Sequence, residues 1–453
     1  MIVMKFGGTS VEDAAAIRRL IEIVKRGRHR KPLVVVSACS GVTNDLIRTA
    51  HAVRDGDKDQ ALNILDRLRI RHRTMAEELL NGKRRTCIFE LFDDMFQELR
   101  NLVRGVHLLG ELTNRSLDTF TSYGEQLSSL IIQGAMEEAG IPSVLVDARS
   151  VMVTDKTFSS AKPLVDKIAK RAKATFGPII KNSKVIVTQG FIGSAEDGTT
   201  TTIGRGGSDY SAAIFGSVLH TEEIQIWTDV DGMMSADPRI VPNAKRIDVL
   251  SFDEASELAY FGAKVLHPNT ILPAVEKNIP VRVLNSRKPE MEGTLILDKS
   301  KNGKKDVVKS VASKKGIIVV NVSSSRMLLA HGFLARLFTI FAEHHKSVDV
   351  VSTSEVSVSL TVDNDNGLEE IKKELETIGE VRIERHRAIL CVVGEGMKQT
   401  PGIAARIFGA LALAKVNIEM VSEGASEINL TIVVDEKAVD KAVRVLHDEF
   451  FPQ

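Results

Sequence analysis

Short runs of β-branched residues alternate with longer stretches of helical periodicity over roughly the first 300 residues. The segments Ile2–Phe6, Leu33–Ser37, Val185–Gln189 and Ile224–Thr228 have the continuous apolar character of strands buried on both faces of a parallel sheet. Residues 45–116 contain no proline and place Leu, Ile and charged residues at mixed three- and four-residue spacing, which predicts helices. Strands separated by helices indicate an α/β domain with a doubly wound, mainly parallel sheet.

The pattern changes after a Lys- and Gly-rich stretch at 298–305, which we interpret as a linker. Residues 317–378 follow the order strand, helix, strand, strand, helix, and a similar order recurs from residue 388 onward. The segments SVDVVSTSEVSVSLTVD and NIEMVSEGASEINLTIVVD also resemble each other, which favours a duplication. We therefore predict an α/β domain over residues 1–297 and two ferredoxin-like βαββαβ modules over 307–384 and 385–453. A strand near 309–314 would make the modules discontinuous if it belongs to the second one.

Composition excludes several classes of protein. Among 453 residues, 60 Lys and Arg stand against 59 Asp and Glu, so the net charge of +1 disfavours binding to nucleic acid or to an acidic membrane. The three cysteines are far apart and lack metal-ligand spacing, so neither a disulfide framework nor a zinc site is expected. The N-terminus has no signal-peptide pattern, and no later stretch offers about 18 uninterrupted apolar residues. We expect a soluble, cytoplasmic protein.

Two glycine-rich elements are candidates for anion binding, in the absence of a Walker A or Gly-x-Gly-x-x-Gly motif. The first, KFGGTS at 5–10, follows a strand and is predicted to lead into a helix. Glycines there let backbone N–H groups approach phosphate oxygens. A purely structural turn is an equal alternative. The second, GRGGSD at 204–209, ends a predicted loop over 194–207 and precedes a helix. It sets a guanidinium beside backbone donors, which suits a carboxylate or phosphate. Its alternative is simple helix capping.

Two further elements contain charged residues in a context that suggests a ligand. WTDVDG through DPR, at 227–239, follows a strand, where open α/β sheets bind ligands. FGAKVLHP, at 261–268, sets a lysine among apolar residues, and its histidine has no partner at ligand spacing. Because no His/Cys cluster suggests zinc, the expected metal is Mg²⁺, held chiefly by phosphates.

Six motifs in order now resemble one family: KFGGTSV, VVVSACSGVTN, SYGEQLSS, GRGGSDYSA, WTDVDG…DPR and FGAKVLHP, followed by the tandem modules. The chain resembles aspartate kinases of the monofunctional type with two C-terminal ACT modules, over essentially its whole length. The resemblance implies an amino-acid-kinase fold, a three-layer αβα sandwich. It also implies transfer of the ATP γ-phosphoryl group to the side-chain carboxylate of L-aspartate. The products are 4-phospho-L-aspartate and ADP, on the path to lysine, threonine and methionine.

This reaction explains why no nucleophile–base constellation is found in the sequence. An aspartate carboxylate has an ordinary pKa of about 3.9, so at neutral pH it is already an ionised nucleophile. The obstacle is to bring this anion up to a polyanionic nucleotide. Catalysis must therefore consist of positioning and charge stabilisation.

The resemblance assigns roles residue by residue. Lys5 would bridge phosphate oxygens as a catalytic residue, and Asp209 would organise Lys5 or the metal. Arg205 is suited to the α-carboxylate of the amino acid and Glu125 to its α-ammonium, with Thr43 and Ser208 also in the substrate site. The nucleotide site would comprise Lys5 with Gly7, Gly8, Thr9, Ser10, Ser37, Gly206, Gly207, Thr228, Asp229, Met234, Arg239, Lys264 and Val265. Met234 stands where the family often has a tyrosine.

The resemblance extends to regulation by an amino acid. Segments 327–334 and 347–355 are similar to the effector-binding segments of lysine-inhibited members, which gives as candidates Met327, Ala330, Gly332, Phe333, Leu334, Ser347, Val348, Asp349, Ser354 and Glu355. Asp349 or Glu355 is suited to the effector's ε-ammonium, and the start of a helix at Gly332 to its carboxylate. Threonine, alone or with lysine, and an ACT pair without effector are the alternatives. A homodimer through the ACT modules, or a tetramer, is expected.

Two rival functions are weaker. One is another amino-acid kinase, acting on acetylglutamate, glutamate, carbamate or UMP, against which the tandem modules and SYGEQLSS argue. The other is an amino-acid-sensing regulator with a silent kinase domain. The presence of Lys5, Glu125, Arg205 and Asp209 argues against it, since a silent site has no need of this set.

Overall fold

The computed structural model describes residues 1–261, 270–298, 306–327, 331–397, 399–423 and 428–452. The chain divides into two compact units, the first comprising Met1–Met233 and Val265–Asn302, the second Met234–Lys264 and Gly303–Gln453. Among the helices in the described ranges, none is long and apolar enough to cross a membrane.

The first unit is built on a mainly parallel sheet. Its strands lie in the order β3-β4-β2-β1-β7-β9-β10, and all of these neighbours are parallel except β9 and β10. They are β1 (Ile2–Phe6), β2 (Pro32–Val36), β3 (Ser143–Val146), β4 (Val185–Gln189), β7 (Glu223–Thr228), β9 (Val281–Asn285) and β10 (Thr294–Leu297). A separate hairpin joins β5 (Ile192–Ser194) and β6 (Thr200–Thr202).

Helices cover both faces of this sheet, as the alternation of side chains along a strand requires. Ile2, Met4 and Phe6 point to one face and share a core with α1 to α5, whereas α7 packs on β1 and β7, and α6 on β4. The three-layer arrangement confirms the predicted fold class. The helices are α1 (Ala14–Gly27), α2 (Val42–Arg54), α3 (Lys58–Leu79), α4 (Gly82–Leu109), α5 (Asn114–Glu138), α6 (Val165–Lys181), α7 (Gly207–Leu219) and the short α9 (Leu272–Val275).

Two local predictions need correction. The glycine-rich element after β1 does not open a helix directly: Gly8–Ser10 forms a 3₁₀ turn, and α1 begins only at Ala14, where Asp13 accepts from the Ala16 N–H at 2.7 Å. The stretch 194–207, which the sequence predicts as a loop, contains strand β6.

The second unit is built on an antiparallel sheet with the strand order β12-β13-β11-β14-β16-β15. Counted from β11, the first six helices and strands follow the predicted βαββαβ order. The elements are β8 (Val249–Ser251), α8 (Phe252–Phe261), β11 (Ser310–Ser323), α10 (Phe333–Glu343), β12 (Val351–Thr353), β13 (Ser357–Val362), α11 (Leu368–Leu375), β14 (Glu380–Val393), α12 (Ile403–Leu413), β15 (Met420–Glu423), β16 (Asn429–Asp435) and α13 (Val439–Phe450).

Strands β11 and β14 are long because each serves two hydrophobic cores. Beyond an irregularity between Lys314 and Ile317, the register of the pair shifts. Val311, before it, packs in a core formed mainly by residues 388–446, whereas Val320 and Val322, after it, pack in a core formed by residues 318–378. The start of β11 therefore contributes to the core of the C-terminal half.

Candidate active site

A cavity of about 550 Å³ lies in the first unit, where β1, β2 and β4 end. Open α/β sheets bind ligands at this edge because the loops that leave parallel strands diverge there. Ten of the residues predicted for the site line the cavity, although they come from segments more than 200 positions apart in sequence. They are Lys5, Gly8, Ser37, Thr43, Glu125, Arg205, Gly206, Gly207, Ser208 and Asp209.

An ion pair stands on one wall of the cavity. Lys5 Nζ lies 2.7 Å from Asp209 Oδ1, and the two side chains are only 10% and 13% exposed. Strand β1 places Lys5 between Val35 and Ile226 of the neighbouring strands, so its side chain points to the face opposite Met4 and Phe6. This geometry holds an ammonium group at a defined place in the cavity, where it is available to phosphate oxygens.

The start of helix α7 supplies further donors. Gly206, in the left-handed region with φ +72°, precedes the helix, and the Gly207 N–H donates to Gly204 at 3.0 Å. The N–H groups of Ser208 and Asp209 lie in the first turn, where a helix offers them no internal partner. Arg205 is exposed and forms no ion pair with any described residue. Together these donors form a wall suited to anions.

Glu125 adds a buried carboxyl group to the lining of the cavity. Helix α5 holds it at 3% exposure, and its Oε1 accepts from the Ala38 N–H at 3.1 Å. Its Oε2 is buried and has no hydrogen-bond partner in the described structure. Burial raises the pKa of Glu125 from its ordinary 4.5 to about 8. A carboxyl group with one unused oxygen is a suitable acceptor for an ammonium group.

The cavity offers neither a reactive thiol nor a ready-made metal centre. Cys39 lines it, but burial raises the pKa of that thiol to about 12, so at neutral pH it is protonated and a poor nucleophile. Within the ranges that the structure describes, no group of three or more His, Cys, Asp or Glu side chains is placed to hold a metal ion. The arrangement is therefore suited to binding anions and a cationic group side by side.

Comparison with known proteins identifies the family. A model of the amino acid kinase family matches residues 1–285, and a model of the ACT domain matches residues 390–450. Lysine-sensitive aspartokinase 3 of Escherichia coli (strain K12) is 36% identical over 464 aligned positions, which cover 100% of this chain and 99% of that protein. The chain belongs to the aspartokinase family.

Solved structures agree with this assignment. E. coli aspartokinase III in complex with aspartate and ADP, in the R-state, matches with a TM-score of 0.86 and covers 100% of both chains at 36% identity. The same protein with lysine and aspartate, in the T-state, matches with a TM-score of 0.83 and covers 100% of this chain. The predicted fold of the aspartokinase family is thus confirmed over the full length.

Several residues that the family resemblance assigned to the nucleotide are not among those lining the cavity. Ser10 is buried, and its hydroxyl donates to Trp227 O at 3.2 Å and to Ser286 Oγ at 2.8 Å. Its hydroxyl therefore ties the turn to the sheet. The Gly7 N–H likewise donates to Trp227 O, at 3.0 Å. Thr9 does not line the cavity either.

The remaining nucleotide candidates follow β7 in sequence. At the end of β7 the Thr228 hydroxyl donates to Asp229 Oδ1 at 3.2 Å. Met234 and Arg239 belong to the second unit, where Arg239 is 84% exposed and forms a two-pronged ion pair with Asp237. Lys264 and Val265 lie outside the described residues.

The sequence analysis does not single out several residues that line the cavity, among them Asp118 and Phe191. Asp118 is buried and accepts hydrogen bonds from two other segments of the wall. It precedes Glu125 by seven positions, about two helical turns, so helical periodicity places both on one face of α5 and is a signal that would have found it. Phe191 follows β4 with φ +64°, which is unusual for an aromatic residue, and no sequence pattern indicates that conformation.

The effector candidates lie in the second unit, where Asp349 has a buried, ion-paired carboxylate. Its carboxylate pairs with Lys314 Nζ at 3.1 Å and accepts from the Tyr260 hydroxyl, and the side chain is 2% exposed. Glu355, by contrast, is exposed. Ser354 bonds to Ser357 through both backbone and hydroxyl.

Other effector candidates surround the start of α10. Gly332 precedes that helix with φ +87°, and Phe333 and Leu334 form its first turn. Met327 ends a 3₁₀ turn before it. Ser347 and Val348 follow α10 in the approach to β12. Ala330 lies outside the described residues.

Proposed function

We propose that this chain is an aspartate kinase, which transfers the γ-phosphoryl group of ATP to the side-chain carboxylate of L-aspartate. One observation supports the proposal above the others. A single cavity joins the Lys5–Asp209 pair and the anion-binding start of α7 to a buried carboxyl group with an unused oxygen, Glu125. These are the groups that a phosphate donor and a zwitterionic acceptor require together.

The site can perform this reaction without a general base. The acceptor carboxylate is ionised at neutral pH, so what it needs is charge neutralisation and alignment. Lys5 supplies a fixed positive charge for the phosphate oxygens, and Asp209 holds the ammonium group in place from the other side. The N–H groups at the start of α7 add oriented donors that need no rearrangement during transfer.

Recognition of the amino acid follows from two opposite charges. Arg205 has no ion-pair partner in the described structure and would take the α-carboxylate as a two-pronged contact. Glu125 would take the α-ammonium through its unused Oε2. Because burial keeps Glu125 largely protonated at neutral pH, an arriving ammonium group would shift it to the ionised form and release a proton. Thr43 and Ser208 complete this part of the cavity.

Mg²⁺ would accompany the nucleotide in this proposal. The described residues hold no acidic cluster for it, which fits an ion carried chiefly by phosphate oxygens. Asp209 is the acidic group of the cavity next to the anion-binding turn and would be the protein's contact, directly or through water. When bound, the ion would neutralise part of the phosphate charge.

The second unit would regulate the enzyme in response to L-lysine. The ACT match and the lysine-sensitive relative support this, and threonine is the alternative effector.

We also propose a homodimer, or a tetramer, formed through the ACT modules. Leu334 and Phe338, one turn apart on α10, remain 40% and 37% exposed, and burial of this apolar face would favour association. Strands β11 and β14 each contribute to both hydrophobic cores of the second unit, which supports a pair of ACT modules that exchange a strand. A cytoplasmic location stays a prediction.

The decisive test measures ADP release from Mg·ATP with L-aspartate, with and without millimolar L-lysine. Wild-type protein should turn over only with aspartate, and lysine should suppress turnover. Lys5→Ala should lower kcat by more than about a hundredfold, because it removes a charge that stabilises transfer. Lys184→Ala, on the exposed surface, is the matched control and should retain full activity.

Other results would change the proposal. Turnover that is insensitive to lysine would keep the kinase and direct attention to threonine. A folded protein that binds lysine but releases no ADP would favour the silent-kinase sensor and contradict the main proposal. Turnover with glutamate or acetylglutamate in place of aspartate would favour another amino-acid kinase.

A further inference from the structure

Asp118 is a buried carboxylate whose hydrogen-bonding capacity is used entirely by the protein. The residue is 1% exposed. Both of its oxygens accept from the Ser159 N–H, each at 3.0 Å. Oδ2 also accepts from the Thr202 N–H at 2.9 Å, and Oδ1 from the Thr202 hydroxyl at 2.8 Å. With these contacts made, Asp118 has no capacity left for a substrate group, so any role in the reaction must be exerted through its partners.

The first partner is held in a strained conformation. Ser159 has φ +68°, in the left-handed region that residues with a Cβ seldom adopt. Such strain persists only where surrounding contacts enforce it, and it is concentrated at functional sites. The carboxylate of Asp118, which grips the Ser159 N–H with both oxygens, is the contact that enforces it here.

Both partners contact or lead into the glycine-rich turn at 204–207, where α7 begins. Gly204 packs on the backbone of Ser159: a Cβ built on this glycine would lie 3.4 Å from Ser159 O. Thr202 ends strand β6, three residues before Arg205, and its carbonyl accepts from the Ala161 N–H at 2.9 Å. Asp118 thereby fixes the position of Ser159, on which Gly204 packs, and of strand β6, which leads to Arg205.

Helix α5 also connects Asp118 to Glu125, another residue that lines the cavity. Asp118 and Glu125 lie two turns apart on it, and both are buried. The same rigid helix therefore sets the position of the ammonium acceptor and, through Ser159 and Thr202, that of the carboxylate-binding Arg205. We propose that Asp118 is a positioning residue for the amino-acid substrate, which sets the separation of the two charges that bind it. This inference rests on the proposed function.

The proposal is tested with Asp118→Asn, which keeps the volume but replaces an acceptor oxygen with an amide group that cannot accept. Displacing Arg205 should raise KM for L-aspartate by about tenfold to a hundredfold and leave KM for ATP within about twofold, because misplacement of a binding group by about an ångström has effects of this size. Thr202→Val removes only the hydroxyl donor and should raise KM for aspartate less. It serves as the second variant if Asp118→Asn folds poorly, and Thr202→Ser, which keeps the hydroxyl, is its control.

Two further variants distinguish a specific positioning role of Asp118 from a general loss of order in this part of the cavity lining. Asp155 holds the same loop from its solvent side, accepting from Thr157 and Lys162, and does not line the cavity. Asp155→Asn should leave KM for aspartate unchanged. Ser159→Gly removes the strain that Asp118 enforces, so adding it to Asp118→Asn should restore part of the lost aspartate affinity.

The outcomes distinguish this inference from the proposed function. If Arg205→Lys leaves KM for aspartate unchanged, the proposed substrate contact is wrong. If Arg205→Lys raises KM for aspartate but folded Asp118→Asn and Thr202→Val do not, the positioning role is wrong. Equal effects of Asp118→Asn and Asp155→Asn on the KM values of both substrates would also overturn it, since a merely structural role predicts that result.

Discussion

Burial gives Glu125 an acid–base property that links the site to the pH dependence of stability. Its pKa is about 8 in the folded chain and about 4.5 when exposed, so between these values the folded state binds the extra proton. Folded protein is therefore favoured at the acidic end of this window, and the contribution is lost as pH rises from about 4.5 to 8. Raising the pH from 6 to 8.5 should therefore lower the free energy of unfolding by about 2.5 kcal/mol through this group.

The comparison with Glu125→Gln checks this prediction. The amide has similar volume and no titration, so its unfolding free energy from denaturant titrations should fall less than that of the wild type between the two pH values. The difference between the two slopes isolates this one group. Parallel pH profiles for both proteins would show that Glu125 is ionised in the folded chain, and would remove the basis for proton release on substrate binding.

At the residue scale, sequence reasoning works where a motif and its chemistry coincide. Lys5, Arg205 and Asp209 come from glycine-rich elements whose backbone exposes donors, and all three line the cavity. The hydroxyl of Ser10, in the same motif as Lys5, donates to Ser286, 276 positions away. Such a partner is set by tertiary packing, and nothing in the local pattern indicates it.

At the element scale, helix α8 has an anchor that can be tested. Glu254 is fully buried at its start and accepts from the Ser251 N–H at 2.8 Å and from the Glu395 N–H at 2.9 Å. The Ser251 hydroxyl accepts in turn from the Glu254 N–H, which completes a capping box. Glu254→Ala would remove the acceptor of the buried Ser251 N–H and of the half-buried Glu395 N–H, at a cost of about 2–5 kcal/mol in local stability.

Hydrogen–deuterium exchange of the α8 amides measures that cost. Exchange should accelerate strongly in Glu254→Ala and less in Glu254→Gln, which keeps one acceptor oxygen. Asp253→Ala changes the adjacent exposed acid in the same first turn and should alter local stability by less than about 0.5 kcal/mol. Equal exchange in the two alanine variants would mean that the buried contacts of Glu254 do not hold the helix.

Element prediction succeeds where hydrophobic patterns are continuous and fails where tertiary contacts create the element. The apolar runs of β1, β2, β4 and β7 are recognisable because burial on both faces demands them. Strand β6 is a three-residue run of threonine whose pairing depends on β5 and on the buried carboxylate of Asp118. The sequence predicts strand character near 309–314 and again from 317, but not that both segments form the single strand β11, because its start packs in a different core from its end.

At the scale of the whole molecule, contacts between distant parts of the sequence determine which segments belong to each compact unit. Residues 234–264 precede the last part of the first unit in sequence, yet they pack in the second unit. Ser235 Oγ lies 2.9 Å from His447 Nε2, and Arg444 donates to Ile240 O at 3.0 Å. These bonds span more than 200 positions, so no local pattern separates the segment from the predicted domain 1–297.

The proposed regulation by lysine depends on Lys314, a cation that already pairs with Asp349 at the proposed effector site. Lys314 Nζ lies 3.1 Å from Asp349 and 2.6 Å from Asp363, so an effector ammonium that binds Asp349 must compete with it. Lys314→Met would leave a buried carboxylate without its counter-ion, a state that strongly favours a new cation. We expect this variant to be less stable without ligand and to be inhibited at an L-lysine concentration lower by about tenfold.

Lys315→Met provides the matched control for that prediction. The adjacent lysine pairs with Asp440, away from Asp349, so its replacement should leave the inhibitory concentration of lysine unchanged. Thermal unfolding with and without lysine gives a second readout, since the ligand should raise the melting temperature of Lys314→Met more than that of the wild type. If inhibition of Lys314→Met matches that of the wild type, the effector ammonium does not compete for Asp349. The exposed Glu355 would then be the acid to test next.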